Sequence, residues 1–462
     1  MGERVWGFVA GGFLLACVFL GGASAAGAAA NGVLQALSLA LIVLIAWTRS
    51  PAATPPGART LIAIVAVYAL WCLVQLVPVP ASLWSALPGR AGYAEAMRAM
   101  GAELPAMPLS LAPRKTLQSL LWLLPPVAMF LLVLRLTGRA RRTLAYAVLA
   151  GALLSMLLGA FQVLGGEGSP LRFYEITNPT APVGFFANKN HLATLLLSSL
   201  PVVAALAGRE VARSQGRTHG HSRRMIYGSI LLFLTIGIAM NRSVAGYALL
   251  LPAAAASFLI YRRLTSGRLS RRALAALGGL ILAYVGIAVA GPVSTETLSS
   301  KFTTAPASRQ VMTERTLEAA AAHLPTGSGL GTFQQIYRTY ENPAEASRTF
   351  ANHAHNDYAE IALELGLPGV LLVLAFFAWW AWRSLIAWRT DFRAAALARA
   401  ASAVIGLVLF HSLVDYPLRT SAIAALFAAA CALLLPAAAT APRVRASGAT
   451  DEEPRARHLE AD

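Results

Sequence analysis

The chain has 462 residues, of which 57% are hydrophobic and only 13% charged, a balance that excludes an ordinary soluble protein of this length. Its formal charge of +17 is almost wholly arginine, since Lys115, Lys189 and Lys301 are the only lysines. Those arginines lie in short clusters between long apolar runs, with no aromatic-studded basic domain beside them, so a nucleic-acid partner is excluded and a polytopic membrane protein is indicated.

A membrane-spanning helix needs ~20 mostly apolar residues. In chain order the runs that qualify are Val5 to Ala26, Val33 to Trp47, Leu61 to Pro78, Thr116 to Leu134, Leu144 to Leu164 and Leu192 to Ala207. They continue with Met225 to Met240, Tyr247 to Tyr261, Ala273 to Ala290, Pro368 to Trp388, Ala395 to Leu413 and Thr420 to Leu435. The expected class is therefore all-α, a single polytopic transmembrane unit over 1–462 with about 12 spans. Arg4 before the first run and the small residues Ala23, Ser24 and Ala25 after it also fit a cleaved signal peptide. Pro125 and Pro126 are positioned to break the fourth span. Cys17, Cys72 and Cys431 all fall inside apolar runs and read as buried thiols without a disulfide framework.

The connectors set the orientation. Arg49 and Arg59, then Arg135 to Arg142, Arg209 to Arg224, Arg262 to Arg272, and Arg389 with Arg393 occupy alternate connectors. The positive-inside rule makes those connectors cytoplasmic, together with both termini and a disordered mixed-charge tail over 440–462. Three long connectors then face outward: Ala81 to Lys115, Gly165 to Asn190, and Gly291 to Gly366. The last is expected to be a partly helical extracytoplasmic loop, with Ser308 capping a helix that runs to about Ala322 and a glycine turn at Gly327, Gly329 and Gly331. That turn lacks both the GxGxxG spacing and the Walker lysine, so it does not read as a nucleotide site.

Four polar clusters stand at the outward ends of separate spans. They are Gly184 to His191, Asn241 to Gly246, His353 to Gly369 and His411 to Arg419. Singly, each has a bland reading as helix punctuation or snorkelling cations. Four on one side of the bilayer indicate an aqueous cavity opening outward, because polar groups at the membrane are costly.

The same residues resemble the O-antigen ligase and O-antigen polymerase superfamily. The resemblance is carried by the run Gly184 to Ala193, the Asn-Arg-Ser-x-x-Gly turn at Asn241, the Pro-x-Gly-x-Gly turn at Pro325, and His355-Asn356-Asp357-Tyr358 followed by Glu364-Leu365-Gly366. It covers roughly residues 180–420, and the run from His411 to Pro417 is similar to an exopolysaccharide-assembly branch. Lys189 stands where many members carry proline or arginine. The resemblance implies a metal-independent membrane glycosyltransferase of the bacterial inner membrane, without a cofactor and with its site facing the periplasm. Its donor would be an undecaprenyl-diphosphate-linked glycan. Its acceptor would be a sugar hydroxyl on a glycan or lipid-linked glycan, with membrane lipid and polysaccharide-assembly proteins as further partners.

The chemistry of such a transfer requires a base for the acceptor proton and cations for the departing diphosphate. His355 is the candidate base, and it also matches the family's functional histidine. Arg242 and Arg309 are the candidate diphosphate ligands, because guanidinium pairs with phosphate oxygens in bidentate fashion. Arg309 would also sit in the first turn of the Ser308 helix, whose amide end favours anions. Around these, Asn188, Lys189, Asn190, His353, Asn356, Asp357 and Asp415 are the candidate substrate-binding residues. Three rival readings remain, one of them a non-catalytic scaffold for a polysaccharide-assembly complex should His355 prove dispensable. The alternation of His353, His355 and Asp357 would let all three ligate zinc from an extended segment. A transporter or flippase for a lipid-linked sugar or small solute would also use many spans, although carriers place ionisable groups near the midplane of paired repeats.

Overall fold

The computed structural model describes residues 2–24, 28–48, 54–213, 220–265, 295–341, 351–390 and 395–437. Backbone amides in a bilayer must be satisfied within the segment that carries them, and the apolar runs accordingly fold as helices. Those in the first part of the chain are α1 (Glu3–Leu20), α2 (Ala28–Trp47), α3 (Ala58–Val74), α6 (Pro113–Leu121), α7 (Leu124–Leu134), α8 (Gly138–Leu164) and α9 (Lys189–Arg213). After them come α10 (Gly220–Asn241), α11 (Val244–Thr265), α14 (Asp357–Arg389), α15 (Ala396–His411) and α16 (Ser421–Leu434). Among the described residues eight helical segments are long and apolar enough to cross a membrane, with α6 and α7 counted together. Three shorter apolar helices, α3, α15 and α16, fall on the third, eleventh and twelfth expected spans. The expected ninth span, Ala273 to Ala290, and the 440–462 tail lie outside the described residues.

α9 is the centre of the bundle. Every residue of its apolar window is buried, with α8, α10, α11 and α15 packed around it. α1 packs on α8 and α16 at the side of the same core. The fourth span is indeed broken. Leu121 ends α6, Trp122 and Leu123 form a turn, and α7 restarts just ahead of Pro125 and Pro126, which have no amide hydrogen to continue a helical ladder.

On one face the arginine-rich connectors do more than carry charge. Arg135 donates to the carbonyls of Ile45 and Thr48 at the end of α2, and Arg141 donates to Leu435 O at 2.7 Å and Pro436 O at 3.1 Å beyond α16. Arg399 donates to Ala387 O at 3.2 Å and Thr390 O at 2.7 Å, and Arg263 to Trp388 O at 3.1 Å, all at the end of α14. The last carbonyls of a helix have no partner within it, so each guanidinium satisfies acceptors that would otherwise be orphaned.

The opposite face carries a folded layer. α4 (Ala81–Ala86) and α5 (Ala91–Ala99) are flanked by β1 (Pro78–Val79) and β2 (Met107–Pro108), a short antiparallel pair. α12 (Thr295–Ala322) and α13 (Phe333–Tyr340) form a second unit around Ala319, Phe333, Ile336, Ala354 and Leu363. Here one expectation fails. α12 starts at Thr295, so Ser308 is inside it and not at its cap. The segment ahead of Ser308 tolerates helix well enough to extend it backwards.

The glycine turn between these units is pinned by polar side chains. Gln75 donates through Nε2 to Glu364 O at 2.9 Å and accepts from Leu330 N at 3.1 Å, while Arg90 reaches Leu109 O at 2.5 Å and Gly327 O at 3.0 Å. Beneath the turn, α14 is two helices joined at a kink, Gly366 having φ 62° and ψ −149°. The tenth expected span therefore begins earlier, at Asp357 and not Pro368. Gly327 and Gly366 touch backbone to backbone: a Cβ on Gly366 would lie 2.2 Å from Pro325 O, and one on Gly327 would lie 2.5 Å from Glu364 O. Only glycine meets both the left-handed φ and that approach.

Candidate active site at the helix ends

The four polar clusters converge, and hydrogen bonds connect them. At the start of α9, Asn188 Oδ1 accepts from Asn190 N at 2.9 Å, and Lys189 N donates to Asn178 Oδ1 at 2.9 Å. The Asn190 side chain then faces two ways. Its Oδ1 accepts from Ser243 Oγ at 2.8 Å, and its Nδ2 donates to Asp415. Ser243 Oγ in turn accepts from Gly246 N at 3.0 Å, capping α11. Asn241 Nδ2 donates to Lys189 O at 2.9 Å, and Lys189 Nζ donates to the carbonyl of Arg242 at 3.0 Å. The first cluster is thus fastened to the second and to the fourth.

The third cluster opens α14. Asn356 is its N-cap, with Oδ1 accepting from Tyr358 N at 3.0 Å and Ala359 N at 3.1 Å. Asp357 is buried, accepts from Ser412 Oγ at 2.8 Å, and donates its own amide to Ser412 O at 2.9 Å. Positions 357, 360 and 364 fall on one side of a helix, and their three carboxylates meet a single cation. Arg419 lies 3.5 Å from Asp357, 3.4 Å from Glu360 and 3.0 Å from Glu364. Burial works against the charged guanidinium, and the carboxylates of Glu360, Glu364 and Asp357 outweigh it, holding Arg419 well above its usual range.

Two histidines are each paired with a buried carboxylate. His355, 24% exposed, has Nδ1 3.2 Å from Oδ1 of the fully buried Asp415. His353, less exposed, has Nδ1 2.8 Å from Glu360 Oε1. Both imidazoles flank the ring of Tyr416, with centroid separations of 4.3 Å for His353 and 5.0 Å for His355. Burial alone would raise the Asp415 carboxyl. The hydrogen bond from His355, with further electrostatic help from the facing imidazoles and Arg309, instead holds it well below the usual carboxylate range. An ionised Asp415 accepts from Nδ1–H and leaves the Nε2 lone pair of a neutral His355 for a substrate proton.

Arg242 and His355 share a backbone feature. Among the described residues they are the only non-glycine positions with positive φ, 54° and 51°. The left-handed conformation costs an L-residue roughly 1–2 kcal/mol, and such strain gathers at functional sites. The Arg242 side chain is partly exposed. Arg309 donates to Val414 O at 3.1 Å, next to Asp415. It does so from within α12, about four turns after that helix begins, so the expected amide-end contribution to anion binding falls away.

The candidates therefore separate by what they touch. Asn356 and Asp357 are tied into helix capping and the Arg419 cluster, while Asn190 and Asp415 support His355 from below. His353, His355 and Asp357 do not converge on one point, because each is engaged by a different partner. Among the described residues no group of three or more His, Cys, Asp or Glu side chains could hold a metal ion. Arg419, Glu360, Glu364 and Tyr416 were not among the expected site residues. The 357/360/364 spacing in an apolar setting was the available signal, since three carboxylates on one buried helix side require a cation.

An O-antigen ligase family model matches residues 229–374. The matched stretch contains Arg242, Arg309, His353, His355, Glu360 and Glu364, whereas Asn190 and the 411–419 loop that complete the hydrogen-bonded cluster lie outside it. No curated protein matches the chain. The family match carries with it glycan transfer of the ligase or polymerase type in general. With its set of long apolar helices, the chain is a multi-pass membrane protein whose residues 229–374 match the O-antigen ligase family.

Proposed function

We propose that this protein transfers a glycan from an undecaprenyl-diphosphate-linked donor to a sugar hydroxyl during surface polysaccharide assembly, at the periplasmic face of a bacterial inner membrane. The observation that carries this reading is the His355–Asp415 pair, a partly exposed imidazole oriented by a buried carboxylate and linked through Asn190 and Ser243 to the Arg242 turn. His355 Nε2 takes the proton of the acceptor hydroxyl as its oxygen attacks the anomeric carbon. Asp415 fixes the tautomer and stabilises the imidazolium that forms. Arg242 and Arg309 bind the diphosphate as its charge develops. Asn188, Lys189 and His353 line the approach as substrate contacts. No step in this scheme uses a metal or a cofactor.

Purified protein in nanodiscs, given a lipid-diphosphate oligosaccharide and a glycan acceptor, should form the new glycosidic bond without a membrane gradient. Absence of product alongside demonstrable donor binding would overturn the transferase reading in favour of a carrier. Lipid analysis of cells lacking the gene separates the two transferase types. Accumulated single lipid-linked repeat units indicate a polymerase, and accumulated lipid-linked polymer indicates a ligase.

A further inference from the structure

A base and two arginines leave part of the site without a task. The His353–Glu360 pair repeats the architecture of His355–Asp415. Each imidazole donates Nδ1 to a buried carboxylate, each is partly exposed, and the two rings stand on the same tyrosine, Tyr416. Glu360, like Asp415, is fixed by further partners. Besides His353, it accepts from Ala354 N at 3.0 Å through Oε2 and lies 3.4 Å from Arg419.

We propose that His353 is a second catalytic group, a general acid that delivers a proton from Nε2 to the leaving diphosphate oxygen, with Glu360 and Arg419 as its positioning residues. This rests on the transferase reading above. The two pairs differ in their surroundings. Asp415 is met by the neutral amide of Asn190 and lies near Arg309, whereas Glu360 belongs to a group of three carboxylates with one guanidinium. In that second group the guanidinium is shared among three acids, and His353 Nδ1 supplies Glu360 with a further partner at 2.8 Å. The charged and titratable groups facing His353 are Glu360 and Asp357 from α14, Arg419 behind Glu360, Tyr416 from the 411–419 loop, His191 from α9, and His355 beside it.

The step balances. The acceptor oxygen bonds to the anomeric carbon and its proton passes to His355 Nε2. The carbon–oxygen bond to the diphosphate breaks, its electron pair stays on the phosphate oxygen, and the proton from His353 Nε2 goes there. Solvent then removes one proton from His355 and returns one to His353, so none is gained or lost overall.

The test is the pH profile of kcat/KM for full-length protein in nanodiscs with a lipid-diphosphate oligosaccharide donor. A base and an acid acting together give a bell. His353→Gln keeps a hydrogen-bonding side chain but has no transferable proton. It should lower kcat by about 10²-fold or more and abolish the alkaline limb, while donor binding stays within a few fold. Glu360→Gln should keep the limb but move it to lower pH, because the imidazolium loses its anion. Added imidazole should restore part of the rate to His353→Ala, which separates a missing proton donor from a damaged fold. Transfer by the unsubstituted protein together with an unchanged bell in His353→Gln would overturn the acid assignment alone. No transfer by the unsubstituted protein at any pH would overturn the transferase reading, and the acid assignment with it.

Discussion

His355 and Asp415 meet across sixty residues of sequence, with Nδ1 of a partly exposed imidazole 3.2 Å from a carboxylate that has no exposure at all. The carboxylate is the more constrained partner, since it also accepts from Asn190 and from Tyr416 N at 2.9 Å. Asp415→Asn keeps an acceptor for Nδ1 but removes the charge that stabilises an imidazolium. Transfer should fall by about 10²- to 10⁴-fold, the usual range for general base catalysis, with KM little changed. Full transfer by the asparagine variant would remove Asp415 from the mechanism. The same carboxylate contributes to stability, and the sign is fixed by its depressed position. Its contribution is complete above the unfolded value of about 3.9 and is lost as pH falls from there toward the folded value. The asparagine variant in detergent should therefore show a flatter melting temperature below about pH 4 than the unsubstituted protein.

The left-handed backbone at positions 242 and 355 allows side chain and fold to be tested separately. Arg242→Gly and His355→Gly each remove the functional group while relieving a conformation that costs roughly 1–2 kcal/mol. Both variants should melt at or above the temperature of the corresponding alanine variants and still fail to transfer glycan. A glycine variant that transfers normally would reduce its position to a turn. Arg242→Lys should be nearly as impaired as Arg242→Ala, because lysine keeps the charge but lacks the planar fork.

Arg419 lies within ion-pair distance of three carboxylates and is only 17% exposed. Arg419→Met strands those acids, and removal of one partner from a buried ionic group costs about 3–5 kcal/mol. Low yield of monodisperse protein is the expected outcome. Combining Arg419→Met with Glu364→Gln should recover part of that yield, because one stranded charge is removed along with the cation. No recovery in the double variant would mean that Arg419 acts through shape and not charge.

Orientation can be read with an impermeant thiol reagent, since Cys17, Cys72 and Cys431 are buried and give little background. Met100 and Ile176, both 74% exposed, lie in the connectors on the face that carries the site. His221, also exposed, follows an arginine-rich connector on the other face. Met100→Cys and Ile176→Cys should label in intact cells, and His221→Cys should label only after lysis. The reverse pattern would invert the protein.

The helices were legible because apolar runs of spanning length have few alternatives, and the polar clusters were legible because they interrupt those runs. Burial within the clusters was not. Ser328 and Ser412 look like surface residues of outer turns, yet both are fully buried, bonded to Thr332 and Asp357 respectively. Ser308 has the chemistry of a cap, but capping chemistry does not start a helix where the preceding residues can also be helical, and that moved Arg309 out of a first turn. The clasp formed by Gln75 and Arg90 was invisible for a different reason. Its acceptors are backbone carbonyls, which every residue possesses and no sequence pattern marks.

The arginines that bridge helix ends on the face away from the site have a consequence for biogenesis. Arg141 holds the carbonyls that follow the last helix, and Arg135 holds those at the end of the second. The arginines that the positive-inside rule makes orientation signals are thus also the rivets of the finished bundle. A hairpin threaded the wrong way would carry its rivets to the wrong leaflet and leave carbonyls unclaimed at two distant helix ends. Misinsertion would then leave an open seam between helix ends that the arginines normally close.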